Sequence, residues 1–160
     1  MLIISILLVA LFVGAAIWKE HKIPDSISSL VYVFKYKWTW TMWIWSVGIL
    51  LLPSLLESLG SAWQFLGFLT IVMLLFCGAM PLFDKENNTL HNIFGVSACV
   101  LSQLCVAMIN PWYLLFWMIL FGICVYAYFA DDYPSWLKGK GIFISEGICY
   151  ISLMVSIIIH

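Results

Sequence analysis

Long apolar runs alternate along this chain with short polar breaks, and that alternation predicts its architecture. Six runs have the length of a membrane-crossing helix, at roughly 2–18, 38–58, 63–83, 89–109, 112–130 and 141–159. Only helices and closed barrels satisfy their backbone groups inside a bilayer, and runs of about twenty residues suit helices. The expected fold class is an all-α integral membrane protein: a bundle of six transmembrane helices forming one domain over 1–160.

The break between the first two runs, HKIPDSISSLVYVFKYKW, has a period of its own. Ile23, Ile27, Leu30, Val31 and Phe34 recur at the spacing of one helix face. Pro24 suits a first helical turn, and Asp25 suits the positive end of a helix dipole. This predicts a short amphipathic interfacial helix at about 23–35, with Asp25, Ser28, Ser29, Tyr32 and Lys35 left for water or headgroups. A re-entrant segment is the alternative. The second run opens with Trp38, Trp40, Trp43 and Trp45, expected as an aromatic belt at headgroup level, or else as a stacking surface for a ring-bearing or cationic ligand.

Composition narrows the class. The chain is 64% hydrophobic and only 9% charged, too few charges to cover a water-facing surface. All seven basic residues are lysine, so no arginine fork exists to clamp phosphate, and a net charge of −1 argues against nucleic acid as a partner. The five cysteines fall inside apolar runs without metal-ligand spacing and read as small packing residues.

The lysines orient the bundle. With six crossings, all seven lie in loops on one side, 19–37, 84–88 and 131–140, whereas the loops around Glu57 to Trp63 and at Asn110–Pro111 carry none. The positive-inside bias then places these loops in the cytoplasm and both termini outside, in an inner (cytoplasmic) membrane. The first run reads as an uncleaved anchor.

The succession IPDSISSLVY, WQFLGFLTIVMLLFCGAMPLF and, after a loop, LHNIFG resembles uncharacterised small multi-pass membrane proteins of gut bacteria and their phages. The likeness covers about residues 20 to 110 and implies a similar helical membrane fold. No activity comes with it.

Ionisable groups inside a membrane are costly, which singles out His91 and Glu146. Each lies six residues past a loop lysine, Lys85 or Lys140, or about 9 Å along a helix. A file of small side chains, Gly95, Ala98, Ser102 and Cys105, continues from His91. Ser145, Cys149, Ser152 and Ser156 make a similar stripe beside Glu146, and such stripes let helices approach closely. The expectation is that the fourth and sixth helices pack with His91 near Glu146, lining a polar pocket rimmed by Asp84, Asp131 and Asp132. The simpler alternative has both residues tying helices together.

Neither a metal nor a cofactor is expected. Only His21, His91 and His160 are available as imidazoles, His160 belongs to the opposite face, and bis-histidine haem ligation finds no second histidine at the depth of His91. GxSxG and Gly-rich phosphate loops are missing, as are the paired helical histidines of an intramembrane ceramidase-like hydrolase. Three functions remain, in this order: a non-enzymatic assembly or interaction protein that forms homo-oligomers or joins other membrane proteins, a small oligomeric channel or transporter, and a membrane-embedded lipid hydrolase resting on Asp84, His91 and Glu146.

Overall fold

A computed structural model of the chain describes residues 1–83, 89–129 and 138–160, and the side chains of all of these except 127–129. Six α-helices are found among the described residues, with no strand: α1 (Leu2–Glu20), α2 (Lys37–Ser58), α3 (Gln64–Phe83), α4 (Thr89–Ile109), α5 (Trp117–Phe129) and α6 (Gly141–Ile159). Five of them, all but α5, are long and apolar enough to cross a membrane. The predicted fifth run differs. Asn110 accepts the backbone N–H of Trp112 on its side chain at 3.1 Å, Pro111 follows it, and the chain winds tightly through Pro111–Phe116 before α5 begins. The described α5 is 13 residues long.

Successive helices from α1 to α4 pack as neighbours, α4 also packs on α6, and α5 leans mainly on α6. Because α1 to α4 reverse direction at each loop, one end of the bundle gathers the last turn of α1 and the first turns of α2, α4 and α6. Every described lysine lies at that end: Lys19, Lys22, Lys35, Lys37, Lys138 and Lys140.

Between helices surrounded by lipid, hydrophobicity supplies little attraction, so close packing and hydrogen bonds must hold them. At Gly78 a Cβ would sit 2.7 Å from Cγ2 of Ile44, so α2 and α3 meet there almost backbone to side chain. The Thr41 hydroxyl donates to the Gly78 carbonyl at 2.7 Å, and the Trp45 indole to the Leu75 carbonyl at 3.0 Å. On the other side of α2, the Trp43 indole donates to the Leu8 carbonyl at 3.0 Å and stacks on Phe12 with centroids 4.2 Å apart.

The four tryptophans therefore do not form one belt. At about 100° per residue, Trp38 and Trp45 share one face of α2 while Trp40 and Trp43 share the opposite one. The first pair is exposed and the second is buried in the core.

The segment after α1 is also corrected in form. His21 ends α1 in the left-handed region, with φ 53°. The chain then forms only a five-residue 3-10 turn, Ser28–Tyr32, instead of a helix over 23–35. Its faces are as the periodicity predicts: Leu30 and Val31 are buried against α1 and α2, Ile27 and Phe34 pack beside them, and Tyr32 points outward. Its serines explain the missing helix. Ser26 Oγ accepts the Ser29 N–H at 2.9 Å and Ser29 Oγ donates to the Ser26 carbonyl at 2.7 Å, side-chain bonds that compete with the helical ladder. The result is a strap folded under the lysine end.

Candidate functional site at the lysine-bearing end

The strap is held in place by α6. The Asp25 carbonyl accepts the Phe143 N–H at 3.1 Å, and the Asp25 carboxylate is paired with Lys140, which holds its pKa below the usual carboxylate value. One turn further along α6, Glu146 accepts the backbone N–H of Ile27 and lies close enough to Ser28 to interact with it. A carboxylate from a distant helix thus serves the donors at the start of the strap's short turn, a role usually filled by a local capping side chain.

His91 is committed elsewhere. Its Nδ1 lies 2.9 Å from the Cys77 carbonyl oxygen, which can only accept, so Nδ1 carries the proton. The Cys77 thiol is 3.6 Å from the same nitrogen. The small-residue file of α4 faces α3 here: a Cβ on Gly95 would touch Cys77 Sγ at 3.4 Å, and Cys105 meets the Thr70 hydroxyl at 3.5 Å. Ala98, Ser102 and Cys105 are buried along this file.

His91 and Glu146 form no ion pair among the described residues, each having its own backbone partner. They nevertheless belong to one neighbourhood. Ser26, Ser28, Ser29, Pro81, His91 and Asn92 line a cleft of about 140 Å3 between the strap and the adjoining ends of α3 and α4. Ser28, on the wall of that cleft, is also a Glu146 partner. Of the expected rim, Asp84, Asp131 and Asp132 lie outside the described residues. Ser145 turns back on its own helix, donating to the Ile142 carbonyl at 2.9 Å.

Deeper in the bundle, the α4–α6 contact contains a hub that periodicity did not single out. Gln103 Oε1 accepts from the Trp117 indole at 2.9 Å and from Ser152 Oγ at 3.1 Å, while Nε2 donates to Ser102 Oγ at 3.1 Å and to the Cys149 carbonyl at 3.3 Å. One amide joins α4, α5 and α6. Its visible signal is a lone glutamine within an apolar run, since a side chain with both donors and acceptors is expensive in lipid unless all are used. Ser152 and Ser156 are fully buried and bond carbonyls of their own helix.

No group of three or more histidine, cysteine or acidic side chains among the described residues is arranged to hold a metal ion. All five cysteines are free thiols. Fold and site together define a class, an all-helical protein whose apolar helices suit a membrane. Compared with protein-family models, characterised proteins and solved structures, the chain shows no match.

Proposed function

We propose that the chain is a polytopic inner-membrane protein with a non-enzymatic role in assembly or interaction, and that its polar site at His91 and Glu146 sets the shape of its cytoplasmic face. In this reading the α5 region completes a sixth crossing. Both termini lie outside, and the lysine-bearing loops lie in the cytoplasm. The observation that carries the proposal is the use made of Glu146: a carboxylate inside an apolar helix accepts the backbone N–H of Ile27 at the start of the strap's turn. An acid so engaged fixes one segment against another. The lipid-facing helices then remain for contact with a second copy or with other membrane proteins.

The test is assembly state in native-like lipid discs, for the wild type and for Glu146→Ala. Loss of a defined oligomer or of a co-purified membrane partner in the variant supports the reading. A wild-type chain that stays monomeric and partnerless at every protein-to-lipid ratio sinks it. Orientation is checked separately with membrane-impermeant thiol labelling of single cysteines placed at Lys35 and Lys138.

One observation favours a second reading, the membrane-embedded lipid hydrolase. Ser28 and His91 line the same cleft, and Ser28 contacts Glu146. A serine that is activated by a neighbouring base reacts as a nucleophile. Labelling of the wild type, but not of Ser28→Ala, by a fluorophosphonate would promote it above the assembly role.

A further inference from the structure

Beside the strap, on the side facing α1, lies a second and larger groove of about 220 Å3. Its floor is apolar, formed by Ala16, Leu30 and Val33, and its rim carries Glu20, Lys22 and Asp25. Both acids are already matched. Lys22 stands 4.0 Å from Glu20, and Lys140 binds Asp25.

Two further lysines reach residues of its lining and have no carboxylate partner among the described residues. Lys19 donates to the carbonyl of Val33 and lies 5.4 Å from the Phe34 ring centre. Lys37 lies 5.9 Å from the ring centre of Tyr32, a residue that lines the groove. An ammonium has three donors, so a carbonyl or a ring leaves capacity for an anion. With Lys22 matched to Glu20 and Lys140 to Asp25, the charges of Lys19 and Lys37 beside the groove stand uncompensated by a carboxylate among the described residues. Trp18, Tyr36 and Trp38 are exposed at the same end of the bundle, as suits side chains at a membrane–water boundary. The face of α1 turned away from Ala16 is bare, with Leu7 and Leu11 exposed and open space beyond Gly14.

The geometry points to a binding site for an anionic phospholipid, with its phosphate between Lys19 and Lys37 and its glycerol region over the apolar floor. Two uncompensated cations match a headgroup with net negative charge better than a neutral zwitterion. The inference rests on the lysine end lying at a headgroup layer, which the thiol-labelling experiment tests independently.

The full chain is purified in mixed micelles containing equal amounts of phosphatidylglycerol and phosphatidylcholine, and retained lipid is measured by native mass spectrometry. The wild type is expected to enrich phosphatidylglycerol. Each of Lys19→Gln and Lys37→Gln weakens that retention about fivefold, the effect of one lysine near an anionic headgroup. Lys37→Arg retains it, and so does Lys138→Gln, which removes a charge from the same end but outside the groove. Thermal unfolding identifies folded variants, and Lys37→Gln alone suffices should Lys19→Gln not fold. Three results overturn the site: no preference in the wild type, an equal loss in Lys138→Gln, or displacement of the lipid by inorganic phosphate alone.

Discussion

The Glu146 carboxylate accepts the backbone N–H of Ile27, 119 positions earlier in the chain. The strap after α1 is thereby fastened to the first turns of α6, so segments distant in sequence meet at the lysine-bearing end. Replacing Glu146 by Ala leaves the half-buried Ile27 N–H without an acceptor and is expected to cost about 1–3 kcal/mol. Glu146→Gln keeps one carbonyl acceptor and loses less. Thermal unfolding in detergent ranks the two, and equal losses would show that the acceptor is not what matters.

Asp25 supplies a pH dependence at the same place. Lys140 depresses the carboxyl pKa of Asp25 relative to the unfolded chain. Its contribution to strap docking is complete above the unfolded carboxyl pKa and disappears as pH falls through the lower, folded value. Hydrogen exchange of residues 22–36 should accelerate in that acid window, and Asp25→Asn should remove the Asp25 share of the change. High salt should weaken the same contact, since the Asp25 side chain is exposed.

His91 and Glu146 occupy different partners, Cys77 and the strap, so their effects should be nearly independent. The double variant His91→Ala/Glu146→Gln is expected to lose the sum of the single losses to within about 0.5 kcal/mol. A coupling well above that would mean the two side chains interact directly.

Gly78 marks the tightest contact between α2 and α3. Gly78→Ala pushes a methyl against Ile44, a residue branched at Cβ with little freedom to withdraw, and is expected to destabilise by about 1–3 kcal/mol. Gly122→Ala, at a site where a Cβ meets nothing within 4 Å, should be neutral or slightly stabilising. The comparison separates close approach from helix propensity.

Gln103 offers the cleanest test of the interior network. Gln103→Leu strands the Trp117 indole and, in part, the Ser152 hydroxyl, with an expected loss of about 1–2 kcal/mol. Because the two groups share a bond, adding Trp117→Phe should cost less in the Gln103→Leu background than alone. Strict additivity in unfolding midpoints would exclude the hub.

What the sequence determined by itself was the all-helical class and the positions of five long apolar helices, because length and hydropathy are properties of each segment alone. The alternation of helix direction likewise put the described lysines at one end, and the period of Ile27, Leu30, Val31 and Phe34 identified the buried face of the strap. Tertiary structure decided the rest. Trp40 and Trp43 went inward because α1 and α3 flank α2 on particular faces, which no local pattern specifies. The strap became a short turn because its serines and a carboxylate from α6 took the bonds that a helix needs. His91 faced Cys77 instead of Glu146 because its file of small residues lay against α3. Periodicity names the face of a helix, but the neighbour met by that face depends on how all the helices share one another's surfaces.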